Sequence, residues 1–336
     1  MRNLTCAKKF IVGVIMANLS ISLLQAGSAD RQHGHAQYKS DERCKSLTEK
    51  TLLTPFTRST AGHVLVDGKF NGHITRSVVD TGGIGVGGVV SEKLMAMIQP
   101  KDSSRNRTNV QGANHSRAMK ITQLRSSGIG DNLSEKLNFV VSPKAILEDE
   151  AEALIGSEYL CSFIVEFDFK KNQLVLHPKK KSIEGLTKLS VSQDKSLVWS
   201  TLENKSRVPG AIVMDMTINN LPVTGILDTG AKHSIMNWKA ASLIGVEKGD
   251  PRIKVEENQS SGIHGDVQKE SYRLKIDQLG IGEQKAAVTD IDLRVADMGS
   301  FSPLIGEGAA INLGVDFFEG RRLIIDYANR KVAISN

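Results

Sequence analysis

Cysteine is rare in this chain of 336 residues: there are three, at positions 6, 44 and 161. Long apolar runs are missing too, and beyond the N-terminal stretch none approaches the 18 residues that a membrane-spanning helix needs. Metal-ligand clusters are equally scarce. The "HGH" at His33 to His35 lies in a polar tail with no third ligand at useful spacing, so neither a metal nor a cofactor is expected. Apolar residues make up 40% and charged residues 24%, a balance that argues against disordered and fibrous classes. The length suffices for two domains, each with its own core.

The N-terminus carries Arg2, Lys8 and Lys9, then an apolar run from Phe10 to Leu24, then the small residues "QAGSA". That order is the pattern of a secretory signal peptide, assigned to residues 1–28, and Asn18 and Ser20 make the run a poor spanning helix. The expected product is a soluble chain, periplasmic or secreted. Removing those residues takes away three basic and no acidic groups and brings the formal charge from +6 to +3, which gives a nucleic-acid partner little support. The basic run "HPKKKS" (177–182) reads as part of a solvated linker. Export leaves Cys44 and Cys161 in an oxidising compartment, where they either form one disulfide or leave Cys161 as a buried thiol.

The stretch "SVVDTGGIGVGGVV" (77–90) contains two competing signals, a G-x-G-x-x-G turn ahead of the helical pattern "SEKLMAMI" and a D-T-G loop. An internal repeat decides between them. "VLVDGKFNGHITRSVVDTG" (64–82) aligns without a gap on "IVMDMTINNLPVTGILDTG" (212–230) at an offset of 148. "SSGIGD" meets "QLGIGE" at an offset of 152, and "LIGSEYLCSFIVEFDF" meets "NLGVDFFEGRRLIIDY" at 158, Gly156 on Gly314 and Asp168 on Asp326. D-T-G recurs in the second copy, "DTGAKHSIMN", whereas the glycine fingerprint does not. A nicotinamide-dependent oxidoreductase therefore ranks a distant third among the readings. Short Val-, Ile- and Phe-rich runs separated by Asn-Gly and Lys-Asn turns indicate all-β, barrel-like halves, with few helices; "SEKLMAMI" and "NWKAASLIG" carry helical spacing suited to core packing.

From about Pro55 to the C-terminus, the loops "VVDTGG" and "ILDTGA" with the later strands "LIGSEYL" and "NLGVDFF" resemble the retropepsin-like aspartic proteases, in particular two-lobed bacterial exported members. The resemblance implies two pseudo-twofold-related lobes, each a small closed β-barrel-like sheet with a short helix, facing each other across a cleft. The expected division is a signal peptide (1–28), an N-terminal tail or short pro-segment (29–50), an N-terminal lobe (51–178), a linker (179–196) and a C-terminal lobe (197–336). Two carboxylates held close together cannot both ionise cheaply, so one keeps a proton while the other acts as base. Asp80 and Asp228 are the expected catalytic pair, acting on a peptide or protein substrate, and with both on one chain a monomer suffices. Gly82 and Gly230 permit the tight turns, and the resemblance gives Thr81 and Thr229 the task of locking the two loops together.

Some features depart from that pattern. Pepsin-like members place Ser or Thr after D-T-G, where this chain has Gly83 and Ala231; losing those donors implies a less acidic optimum than pepsin's. Asn312 stands where an apolar residue is usual, and no counterpart of the pepsin flap tyrosine is found. The flap candidates are Gly112, Ala113 and Asn114 in one half and Ile263, His264 and Gly265 in the other. A noncatalytic peptide-binding protein of the same fold is the alternative to an endopeptidase.

Overall fold

Each half opens with a hairpin whose turn needs two successive residues at positive φ, the condition that matches the twist of the flanking strands. Asn71 (φ 47°) and Gly72 (φ 91°) meet it between strands Val64–Phe70 and His73–Val79; Asn219 (φ 47°) and Asn220 (φ 66°) meet it between Val213–Ile218 and Leu221–Leu227. The turn asparagines also set the neighbouring strand. The Oδ1 of Asn71 accepts from the backbone N–H of Arg125 (2.9 Å) and Ser126 (3.2 Å), and that of Asn219 accepts from Gln278 (3.0 Å).

The computed structural model describes residues 15–18, 44–98, 107–111, 116–206, 208, 210–255, 271–282, 286–298 and 301–336. Among these the chain is mostly strand, in two lobes. In the second lobe six strands close on themselves in the order Val213–Ile218, Leu221–Leu227, Ala310–Leu313, Ile235–Met236, Ala286–Val295 and Tyr272–Ile281, the last pairing back on the first through Met216 and Ile281. Closure removes the exposed edges that such a small sheet would otherwise present. The first lobe fills the same six places, but its two long strands are each broken: Ser116–Gln123 from Ser126–Ile129, and Asn132–Glu135 from Asn138–Ser142. The breaks face each other, with Leu124 N–H donating to Leu137 O (3.0 Å) and Lys136 at φ 57°.

A six-stranded sheet joins the lobes, in the order Trp199–Glu203, Lys331–Ser335, Arg322–Asp326, Ile164–Asp168, Gln173–His177, Leu52–Pro55. Its middle pair runs antiparallel with Glu166 opposite Ile324, and those two residues are repeat mates at offset 158. The pseudo-twofold axis therefore passes through this pair. The outer strands follow it, since Pro55 opposes Gln173 as Glu203 opposes Lys331. One core cluster runs from Val64 and Phe139 through Phe167 and Leu323 to Leu279 and Leu293, so the lobes share apolar packing.

Both helices expected after the D-T-G loops are present, Glu92–Ile98 and Trp238–Leu243. Their caps match: Ser91 Oγ accepts from Leu94 N–H (3.0 Å) and Asn237 Oδ1 from Ala240 N–H (2.9 Å). The segment 179–196, read as a linker, contains the helix Ile183–Gln193, which lays Ile183 and Leu186 on Ile164, Ile324 and Ala333 of the six-stranded sheet. The lysines before it are not merely solvated: Lys180 pairs with Glu49, and Lys181 Nζ donates to Thr51 Oγ1 (2.9 Å). Cys44 and Cys161 form a disulfide, which settles the alternative left open by the sequence and ties residue 44 to the base of the first lobe. No helix among the described residues is long and apolar enough to cross a membrane.

Candidate active site

Each D-T-G loop leaves a central strand of its lobe and is held there by an apolar-Gly strand running parallel to it. Asp80 N–H donates to Ile155 O (3.0 Å) and Asp228 N–H to Leu313 O (3.1 Å), so both loops are fixed at the ends of buried ladders. The loops then meet at the pseudo-twofold axis. Thr81 N–H donates to Thr229 Oγ1 (3.1 Å) while Thr229 N–H donates to Thr81 Oγ1 (3.0 Å). Each hydroxyl passes its own proton on, from Thr81 to Leu227 O (3.2 Å) and from Thr229 to Val79 O (2.9 Å). Four hydrogen bonds thus join residues about 150 positions apart, and they pair both the N–H and the hydroxyl of each threonine.

This junction brings Asp80 and Asp228 together, each with 1% of its surface exposed. Gly82 N–H donates to Asp80 Oδ1 (2.7 Å) and Gly230 N–H to Asp228 Oδ1 (2.9 Å). A Cβ at Gly82 would collide with the Asp228 carboxylate, and one at Gly230 with the Asp80 carboxylate. Glycine is required here because the opposite acid occupies the space. Burial drives the Asp80 carboxyl well above its ordinary value, and the Asp228 charge and hydrogen bonding to Asp228 push it further, against the opposing pull of the Gly82 and Gly83 backbone. Asp228 is also raised by burial, opposed by hydrogen bonds from Asp80, from Asn312 and from the Gly230 and Ala231 backbone. The two titrate as a unit.

The glycines that imitate a dinucleotide turn have a different use. A Cβ at Gly88 would strike the Leu154 carbonyl, and one at Gly156 would lie 2.6 Å from Gly83 O and 3.0 Å from Val86 O. They let the first loop press backbone to backbone on the apolar-Gly strand, a contact that Gly314 repeats against Ala231 and His233. Pairing of Val89 with Leu154 and of Ile235 with Asn312 shows that the first loop is two residues longer than the second, its offset falling to 146 here.

Two side chains at the site were not assigned a role from sequence. Asn312 Nδ2 donates to Asp228 Oδ2 (3.3 Å); the repeat puts Leu154 at the matching place, and that polar-for-apolar contrast was the available signal. His63 is buried, with Nδ1 3.1 Å from Ser59 Oγ, and its repeat mate is Ala211. Burial, reinforced by the charges of Lys232 and Arg58 and opposed by Glu150 and the Gly230 backbone, pushes the imidazole down to about 4. The flap candidates Gly112, Ala113, Asn114, Ile263, His264 and Gly265 lie outside the described residues, as does the "HGH" tripeptide. Among the described residues no group of three or more His, Cys, Asp or Glu side chains is arranged to hold a metal ion.

The edge of the first loop is paired. Strand Ile15–Asn18 lies between the first loop and the strand Arg107–Gln111, parallel to Gly83–Ile84 and antiparallel to Asn109–Gln111.

The chain is similar to aspartic proteases in sequence and in fold. A family model described as aspartyl protease matches residues 214–317, from the second hairpin through the second apolar-Gly strand. No curated protein matches the chain. Among solved structures, an aspartic proteinase from Irpex lacteus superposes with a TM-score of 0.51 at 14% identity, covering 85% of this chain and 97% of its own. A retropepsin-like aspartic protease from Rickettsia conorii gives a TM-score of 0.31 at 14% identity, covering 41% of this chain and 91% of its own.

Proposed function

We propose that this chain is an exported aspartic endopeptidase that hydrolyses peptide bonds with a water activated between Asp80 and Asp228. The observation that carries the reading is the pair itself: two fully buried carboxylates, one from each lobe, each gripped by its own loop amide and each walled by the glycine of the other loop. Burying two acids against each other is costly for a mere scaffold, and groups forced to share a proton are suited to acid–base work. In the reaction one carboxylate takes a proton from water, the water oxygen bonds to the scissile carbonyl carbon, and the other carboxyl gives its proton to the carbonyl oxygen. The resulting diol collapses as the newly protonated acid protonates the amide nitrogen. The C–N bond breaks, and the partner carboxylate recovers a proton from a diol hydroxyl.

A peptide substrate fits the site's surroundings. The loop edge at Gly83–Ile84 and the strand Arg107–Gln111 flank residues 15–18, which belong to the segment removed on export, and the unpaired edges left behind suit the main chain of an extended peptide by strand addition. Export is supported by the charged, apolar and small-residue order of residues 1–28 and by the Cys44–Cys161 disulfide, which persists only in an oxidising compartment. Lobes over 51–178 and 197–336 then enclose a complete site within one monomer. Digestion of a peptide library across pH 3 to 8, with and without a statine-type inhibitor, tests the reading. Inhibitor-sensitive cleavage that disappears in Asp80→Asn and Asp228→Asn supports it. Peptide binding without cleavage in the parent chain, unaffected by either substitution, would replace it with the noncatalytic alternative.

A further inference from the structure

The two acids are not equivalently held. Asp228 accepts at both oxygens, from Gly230 N–H at Oδ1 (2.9 Å) and from Asn312 Nδ2 at Oδ2 (3.3 Å). Asp80 accepts from Gly82 N–H at Oδ1 (2.7 Å), and its buried Oδ2 has no hydrogen-bond donor. Elsewhere the loops are matched: Thr81 and Thr229 exchange equivalent bonds, and neither Gly83 nor Ala231 offers the hydroxyl that pepsin-like loops supply. The asymmetry comes from the apolar-Gly strands, where Leu154 flanks the first loop and Asn312 the second. Asn312 itself is 1% exposed and leaves its Oδ1 unpartnered, so this amide is retained at the expense of a buried polar atom.

We infer that Asn312 is a positioning residue that fixes the division of labour in the pair, holding the negative charge on Asp228 and leaving the shared proton on Asp80 Oδ2. The inference rests on the proteolytic reading of the pair. It makes Asp228 the group that withdraws the proton from water and Asp80 the group that protonates the carbonyl oxygen. An ionised carboxylate gains more from a second donor than a protonated one does, because charge-assisted hydrogen bonds are roughly twice as strong as neutral ones. The amide also supplies, from the neighbouring strand and to one acid only, the kind of donor that pepsin-like loops carry on a hydroxyl.

Other charged or titratable groups act on the pair and its loops. The Asp80 charge, after burial, raises the Tyr327 phenol, whose hydroxyl is buried without a partner, and His63 with Lys232 lies against the second loop. Neither the Tyr327 hydroxyl nor the His63 imidazole donates to a carboxylate oxygen of the pair.

The test replaces Asn312 by Leu, the residue that the first half carries, and follows two readouts on the intact chain. One is carboxyl ¹³C titration of the two aspartates; the other is the pH profile of kcat and KM for a peptide substrate. In Asn312→Leu the lower titration step and the acidic limb of kcat/KM should both move up by about one pH unit, a loss of roughly tenfold on that limb with KM little changed. Asn312→Thr, which keeps a donor, should hold the step near its parent position. The double variant Leu154→Asn with Asn312→Leu should bring the step back with the roles exchanged. A step and limb that stay in place in Asn312→Leu, that move down, or that move as far in Asn312→Thr, would overturn the assignment. Because titration needs no turnover, a parent chain that cleaves nothing yet titrates as described sinks the endopeptidase reading alone. Cleavage with an unmoved titration sinks the Asn312 assignment alone.

Discussion

The two lobes are matched most closely where they touch and least closely away from the axis. At the junction Asp80, Thr81 and Gly82 mirror Asp228, Thr229 and Gly230 bond for bond, and the middle strands pair about the repeat mates Glu166 and Ile324. Farther out, the first lobe breaks its two long strands and carries a disulfide and a loop two residues longer, whereas the second keeps ten-residue strands at Tyr272–Ile281 and Ala286–Val295. A shared reaction demands equality only of the groups that meet. Two unequal pairs do border the loops, Leu154 against Asn312 and His63 against Ala211, and they are where the lobes can divide tasks.

The largest expected effect tests the equality of the acids. Asp80→Asn and Asp228→Asn should each lower kcat for peptide cleavage by about 10²- to 10⁴-fold, the usual worth of a positioned acid or base, with circular dichroism unchanged. A single variant that kept near-parent turnover would show that the lobes do not share one site.

The disulfide tests their inequality. It closes 117 positions of sequence and anchors only the first lobe's base, so Cys44→Ser with Cys161→Ser should cost about 2–5 kcal/mol of stability, read as a lower thermal midpoint without reductant. Reductant should bring the parent chain to the same value. Equal midpoints with the bond intact and removed would mean that it constrains little of the unfolded chain.

Much of this was legible before any coordinates, for a physical reason: a duplicated unit writes its constraints twice. The D-T-G loops, the Asn-Gly and Asn-Asn turns and the apolar-Gly strands each need a particular backbone geometry that few residues satisfy, so they stand out at constant offset. What stayed hidden depends on contacts between distant segments. The glycines at 83, 85 and 88 imitate a phosphate turn because tight packing at Gly83 and Gly88 and a positive φ (79°) at Gly85 disfavour side chains, as a phosphate approach would. The pairing of Cys44 with Cys161 and the docking of Ile183–Gln193 on the joining sheet are tertiary facts. Asn312 was visible as an oddity, but only its distance to Asp228 gives the oddity a direction.

A third prediction uses His63, which has no titrating mate because position 211 is alanine. Buried and held to about 4 against an unfolded value of 6.5, it binds a proton more readily when the chain is unfolded. Its contribution is therefore fully present above pH 6.5 and is lost as the pH falls toward 4, by up to about 3 kcal/mol. Urea unfolding of the parent and of His63→Ala at pH 7 and pH 4.5 should show a smaller fall with acid in the variant. Parallel losses would assign the acid sensitivity to other groups.

The smallest expected effect is also the finest probe of the junction. Thr81→Val removes the acceptor for Thr229 N–H and the donor to Leu227 O, and Thr229→Val removes the acceptor for Thr81 N–H and the donor to Val79 O. Valine keeps the shape, so each cost is that of leaving one buried N–H and one buried carbonyl unpaired, about 1–3 kcal/mol in denaturant unfolding. If the junction is as symmetric as its hydrogen bonds, the two variants should agree within about 0.5 kcal/mol, and the double variant should depart from their sum because each valine orphans groups of the other's loop. Serine at either position keeps the hydroxyl and should recover most of the loss. A clear inequality between Thr81→Val and Thr229→Val would place the asymmetry at the axis itself, and the strand residues Leu154 and Asn312 would then no longer be its sole source at the pair.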